Sequence, residues 1–151
     1  MRTVYGDLIT MAQAGDFDVI AHGCNCQCAM GAGIAKTIKA VFPESYQADC
    51  ATEKGNREKL GTCSFATCNT DHGPLIIVNA YTQFHWRGKG IKADYDAIRS
   101  CMAWIGKSFP GKRIGLPKIG AGLAGGDWDV IKAIIAEELK NEDVTIVEYT
   151  P

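Results

Sequence analysis

Two glycine-rich loops and two titratable side chains carry most of the chemistry this sequence can do. His22 ends a short apolar run and opens the loop His22-Gly23-Cys24-Asn25-Cys26-Gln27-Cys28-Ala29-Met30-Gly31-Ala32-Gly33-Ile34. Imidazole titrates near neutral pH, so His22 can shuttle a proton or attack phosphorus. The alternative is a half-buried histidine whose hydrogen bonds hold the loop. The second loop runs Lys118-Ile119-Gly120-Ala121-Gly122-Leu123-Ala124-Gly125-Gly126-Asp127. Asp127 can orient His22 or a water, as a carboxylate does beside a catalytic histidine, or it can cap the helix that begins there.

Glycine lets a backbone approach a ligand closely and take positive φ. A helix start adds unpaired N–H groups and a partial positive charge, which together make an anion site. Two such loops facing each other can hold a diphosphate, although each alone is also an ordinary tight turn. Gly120-x-Gly122-x-x-Gly125 has the spacing of a dinucleotide fingerprint, but it lies late in the chain and not in the first βαβ unit, which argues against an ordinary nicotinamide oxidoreductase. No Gly-Lys-Ser/Thr follows either loop, so neither is a P-loop.

Of the seven cysteines, Cys24, Cys26 and Cys28 sit at C-x-C-x-C spacing. Structural zinc sites use C-x2–4-C knuckles with a second ligand pair further along, and none is present. These thiols read as small packing residues of a tight loop, and neither a metal nor a cofactor is expected. The segment Tyr81-Thr82-Gln83-Phe84-His85-Trp86-Arg87-Gly88-Lys89-Gly90 mixes aromatics with cations. It suits a nucleotide edge or a terminal phosphate, with His85 as a second acid/base group and Arg87 or Lys89 on the phosphate; a solvated loop is the alternative.

These residues need a scaffold, and the periodicity supplies one. Strand-like segments fall at 3–5, 18–21, 60–67, 75–80, 113–116 and 144–149. Helical spacing of apolar residues marks 33–42, 44–54, 94–109 and 127–139. Alternation of this kind predicts an α/β domain, three layers deep, with a mixed, mostly parallel central sheet. Both glycine loops then fall at strand-to-helix junctions, on the carboxyl edge of the sheet where such folds bind ligands.

The chain has 151 residues and a formal net charge of -1. That length fits one domain spanning 1–151. The charge excludes a generally basic nucleic-acid coat and disfavours a broad RNA interface. No apolar run is long enough to cross a membrane, so no membrane partner is expected. The first residues do not read as a secretory signal, and a cytoplasmic location with reduced thiols is the expectation. A monomer is the expected state.

Four ordered motifs, covering nearly the whole chain, resemble a macrodomain, the ADP-ribose-binding module. They are Tyr5-Gly6-Asp7-Leu8-Ile9-Thr10, Val19-Ile20-Ala21-His22-Gly23-Cys24-Asn25, Met30-Gly31-Ala32-Gly33-Ile34-Ala35 and Ile119-Gly120-Ala121-Gly122-Leu123-Ala124-Gly125, followed by a fitting last strand. The resemblance implies that Asp7 accepts a hydrogen bond from the adenine amino group, with the backbone at Leu8 touching the ring. It implies that Asn25 bonds the distal ribose. Gly31, Ala32, Gly33 and Ile34 would line the diphosphate from one side, and Gly120, Ala121, Gly122, Leu123, Ala124 and Gly125 from the other. Tyr81, on its residue type and position, is a further candidate at the nucleotide edge.

Within that family, His22-Gly23-Cys24-Asn25-Cys26 is similar to the small ADP-ribose-1''-phosphate phosphatases, in which a histidine at this position is linked to phosphate removal. A branch that cleaves ADP-ribose from glutamate uses a lysine at the end of the central strand and an aspartate in the second loop. Tyr81 and Ala124 align there, which argues against that mechanism, with Lys89 and Lys92 nearby on a loop. The resemblance therefore implies a hydrolase that removes the terminal phosphate from ADP-ribose-1''-phosphate, with His22 as a catalytic residue; Asp127 is the second catalytic candidate on its residue type and position alone. Two alternatives stand beside it: a hydrolase releasing ADP-ribose from protein, nucleic acid or O-acetyl-ADP-ribose, and a non-catalytic module binding ADP-ribose or ADP-ribosylated macromolecules.

Overall fold

The computed structural model describes residues 1–151. Its elements, in chain order, are β1 (Arg2–Gly6), α1 (Leu8–Gln13), β2 (Val19–Asn25), α2 (Gly33–Val41), α3 (Pro43–Cys50), β3 (Cys63–Thr70), β4 (Gly73–Gln83), α4 (Tyr95–Ser108), β5 (Arg113–Leu116), α5 (Trp128–Glu138) and β6 (Asp143–Tyr149), with one 3₁₀ turn at Arg57–Lys59. The six strands form a single sheet in the order β1-β6-β5-β2-β4-β3. All neighbours are parallel except β3 and β4, which form an antiparallel hairpin. The expected mixed, mostly parallel α/β architecture is what the chain adopts.

The inner strands are apolar on both sides because helices cover both faces. On one face, Ile98, Met102 and Ile105 of α4 and Ile131, Ile134 and Ile135 of α5 pack on Val19, Ala21, Val78, Ala80 and Ile114. On the other, Leu8, Ile9 and Ala12 of α1 and Ile38 of α2 pack on Ile20 and Ile77. Each fully buried Ile or Leu stabilises the fold by roughly 1.5–3 kcal/mol relative to exposure. Alternation along β2 is strict: Val19, Ala21 and Gly23 face the α4/α5 layer, while Ile20, His22 and Cys24 face the other. That parity decides the fate of His22.

After β2 the chain turns towards β4 and β3, with α2 and α3 on one face. After β5 it turns towards β6, with α5 on the other. The crevice between the carboxyl ends of β2 and β5 is therefore the topological switch point, where open α/β sheets bind ligands. Both glycine loops start at this point.

Helix α1 is the one element the sequence pattern does not announce. Six residues are too few to show a period. Its start is fixed by Asp7, whose Oδ1 accepts from the N–H groups of Ile9 and Thr10 at 2.9 and 3.0 Å. Helix α3 also ends earlier than the spacing suggests, at Cys50 rather than 54. Strand β4 runs on to Gln83, so residues 81–83 belong to the sheet and not to the loop after it.

Candidate functional site

A cavity of about 730 Å³ opens at the switch point. Its volume lies in the range of small-molecule and cofactor sites. The first loop supplies Asn25, Gly31, Ala32, Gly33 and Ile34, and the second supplies Gly120, Gly122, Leu123 and Ala124. The end of β4 adds Thr82 and Gln83, and the loop beyond it adds Trp86. The two glycine loops meet across the opening. A Cβ built on Gly33 would lie 3.4 Å from Cδ1 of Leu123, which is itself 79% exposed.

Helix α2 points its N-terminus at this cavity, and the sequence leaves that end open. Its cap residue Ala32 makes no side-chain hydrogen bond, and its first turn holds no acid. Helices α4 and α5 are both capped by an aspartate and carry another in the first turn, and α3 has Glu44 there. The first intrahelical bond of α2 is Lys36 N–H to Ala32 O, so the N–H groups of Gly33, Ile34 and Ala35 have no protein acceptor. Opposite them, the loop folds back on itself through Ala121 N–H to Lys118 O, Gly125 N–H to Gly122 O and Gly126 N–H to Gly120 O. This leaves the N–H groups of Gly122, Leu123 and Ala124 without protein partners. Positive φ at Gly33 (+59°) and Gly120 (+74°) permits both turns. Six free amides and an uncompensated helix dipole converge on one cleft, which is an anion site in two halves.

Several expected residues lie elsewhere. His22 is fully buried and turned away from the cavity by the strand alternation. Its Nε2 makes a 2.7 Å hydrogen bond with Asn79 Oδ1, and burial lowers its pKa to about 4. The ring does not line the cavity, although Cys24, 3.5 Å from its Nε2, does; the structure gives His22 a buried hydrogen-bonding role behind the cleft and no direct contact with it, against the expectation of a catalytic group in the cleft. Asp127 caps α5, its Oδ1 accepting from Asp129 N–H at 3.0 Å, and does not line the cavity. The capping role holds, and the structure does not bring Asp127 and His22 together.

Tyr81 is likewise corrected. It is 1% exposed, faces α3, donates to Asp49 Oδ1 at 2.8 Å and shares a 2.8 Å hydrogen bond with Ser64. The cavity-lining residues of that strand end are Thr82 and Gln83. Asp7 and Leu8 lie outside the cavity, at the carboxyl end of β1 on the same edge of the sheet; Leu8 is packed into the core. Ala121 and Gly125 shape the second loop without lining the cleft. Asn25 does line it, with its side chain held by Ala29 O and Gln27 N–H at 2.9 Å each.

Behind the cavity runs a buried polar layer. Asn79 joins His22 to Ser45 and Ser64, and Ser64 leads to Tyr81 and Asp49. Burial raises the Asp49 carboxyl, and Asp49 Oδ2 has no partner. Cys24, buried beside His22, has its thiol pushed up by burial and is no nucleophile at neutral pH. The cysteines are all free, and no group of three or more His, Cys, Asp or Glu side chains is arranged to hold a metal.

The family model "Macro domain" matches residues 21–135, which include β2 from Ala21 onward, both loops and α5 almost to its end. The chain belongs to the Macro domain family. Among the similar proteins, an uncharacterized 17.5 kDa protein of phage T4 is 32% identical over all of this chain and 97% of its own length. The ADP-ribose 1''-phosphate phosphatase of Candida albicans is 27% identical over 91% of this macrodomain and 92% of that protein. The DNA ADP-ribosyl glycohydrolase of Thermus aquaticus is 28% identical over all of this chain but only 41% of that protein. The solved macrodomain of Thermus aquaticus DarG has a TM-score of 0.69 and 26% identity, over 99% of this chain and 97% of its own. No helix of this macrodomain is long and apolar enough to cross a membrane.

Proposed function

We propose that this macrodomain binds an ADP-ribose unit in the switch-point cleft and hydrolyses the bond at C1'' of the distal ribose, releasing phosphate from ADP-ribose-1''-phosphate. The observation that carries the binding is the pair of opposed loops with free amides, Gly33 to Ala35 against Gly122 to Ala124. Those six donors hold the diphosphate, with Lys118 the only basic residue lining the cleft, in line with a net charge of -1. The phosphatase reading rests on the similarity to the Candida albicans enzyme and on the His22-Gly23-Cys24-Asn25-Cys26 match.

With His22 buried, catalysis rests on positioning. The amides anchor the diphosphate, Asn25 meets the distal ribose, and Gln83 at the end of β4 orients a water that attacks C1'' as the C1''–O bond breaks and phosphate leaves. The positive end of α2 stabilises charge as it moves onto the leaving phosphate. Adenine extends towards Asp7, whose Oδ1 is occupied by capping while Oδ2 stays available. A monomer in a reducing, cytoplasmic setting belongs to the same proposal.

A second reading is release of ADP-ribose from a macromolecule. It is favoured by Trp86, which lines the cleft, is 47% exposed and stacks on His85 at 4.2 Å, with Arg87 alongside. An aromatic platform with a cation at the mouth suits a bulky aglycone such as a nucleobase. One assay separates the readings: ADP-ribose-1''-phosphate, O-acetyl-ADP-ribose, ADP-ribosylated DNA and ADP-ribosylated protein are offered side by side. Phosphate release from the first alone supports the phosphatase. Turnover of a macromolecular substrate alone supports the second reading, and binding without any turnover leaves a recognition module.

A further inference from the structure

We infer that Thr82 is a specificity-determining residue of the cleft, its hydroxyl reading the sugar beyond the diphosphate. Thr82 is the penultimate residue of β4 and is 1% exposed, yet it lines the cavity. Its backbone is fixed, since Asp94 N–H donates to Thr82 O at 2.8 Å. Its side-chain oxygen makes no hydrogen bond to the protein. His22, Ser45, Asn79 and Asp49, also buried, have side-chain partners, whereas buried Thr145, like Thr82, has none, but it does not line the cavity.

The neighbouring residue keeps this hydroxyl uncovered. A Cβ on Gly23 would stand 2.7 Å from Thr82 Oγ1 and 3.5 Å from Ile119 Cγ2. Glycine at 23, at the carboxyl end of β2 beside β4, thus leaves the oxygen uncovered. Asp49 Oδ2 is the only side-chain oxygen sealed in the core without a partner, so the unpaired Thr82 hydroxyl is not locked away but open to the cleft, where a ligand can pair with it. It can donate and accept at once, which matches a sugar hydroxyl. The six amides already serve the diphosphate, and Thr82 lies apart from them, at the end of β4.

This inference rests on the proposed ADP-ribose reading, and the test keeps the two apart. Binding of ADP-ribose and of ADP is measured by calorimetry for the wild type, Thr82→Val and Thr82→Ser. Thr82→Val keeps the shape and deletes the hydroxyl. It is expected to weaken ADP-ribose about five- to tenfold, the effect of one hydrogen bond, and to leave ADP unchanged. Thr82→Ser is expected to stay within about twofold of wild type for both, since it keeps the donor and acceptor. Equal affinity of wild type and Thr82→Val for ADP-ribose would overturn the role of Thr82 alone, as would an equal loss for ADP and ADP-ribose. A folded wild type that binds neither ligand overturns the functional reading, and the inference with it.

Discussion

Replacing His22 by alanine separates a residue of the fold from a residue of the reaction. The structure makes His22 the former, a fully buried imidazole bonded to Asn79 Oδ1 at 2.7 Å. Losing that bond costs about 1 kcal/mol, and the space left by the ring adds about 2 kcal/mol. A deficit of about 3 kcal/mol lowers the melting temperature of a domain this size by roughly 6–12 °C. There is a second signature in pH. The folded pKa is lowered from 6.5 to about 4, so the unfolded chain binds the proton more readily. The stability tied to keeping His22 neutral is fully present above pH 6.5 and is lost as pH falls towards 4. Between pH 7 and 4.5 that loss is roughly 2 kcal/mol, and His22→Ala abolishes it. Asp49 works in the opposite direction, because its carboxyl is raised. The informative quantity is therefore the difference between the two proteins, which cancels Asp49 to first order. Urea unfolding at both pH values, with phosphate release from ADP-ribose-1''-phosphate measured on the folded variant at 25 °C, gives the answer. The stability gap is expected to shrink on acidification, and activity per folded molecule to survive. A variant as stable as wild type but inactive, or an imidazole titrating near 6.5 by NMR, would refute the reasoning.

Other outcomes follow from the loops. Leu123→Ala changes the melting temperature by no more than about 2 °C, because exposed side chains contribute little, but it weakens ADP-ribose binding by removing a side chain that lines the cleft beside Gly33; titration and thermal melts check both. Gly126→Ala destabilises by about 2 kcal/mol or more, since its Cβ would fall 2.6 Å from Gly120 O and 2.8 Å from Ile131 Cδ1, and urea unfolding reads the loss. ADP-ribose at about a hundred times its Kd stabilises the fold by about 2.7 kcal/mol, seen as a rise of roughly 5–11 °C in a thermal shift assay. A chelator leaves ADP-ribose affinity unchanged in the same titration, because loop amides and not a cation hold the anion.

Much of this was readable in advance, for physical reasons that also mark the limits. All six strands and the four longer helices announce themselves by period, and both glycine loops by composition and position. Helix α1 does not, because Leu8–Gln13 is a turn and a half long; its signal was Asp7 as a cap, which reads equally well as a ligand contact. The site was legible wherever it is backbone. Gly31 to Ile34 and Gly120, Gly122, Leu123 and Ala124 all line the cleft. It was less legible wherever it is a side chain on a strand. A one-residue change of parity sends His22 and Tyr81 to the α3 side and leaves Gly23 and Thr82 on the cavity side, and in a sheet covered on both faces the sequence does not say which parity meets the ligand. The resemblance pointed to His22 through its motif, but only the burial around Asn79 shows that the ring is enclosed.

The central claim, that two opposed loops hold the diphosphate through free amides, is tested most directly by an NMR titration of the ¹⁵N-labelled protein with ADP-ribose. Saturable shifts are expected, concentrated at the N–H groups of Gly33, Ile34, Ala35, Gly122, Leu123 and Ala124. Saturable shifts that leave those six amides unmoved, or no shifts at millimolar ligand with the protein folded, would contradict it.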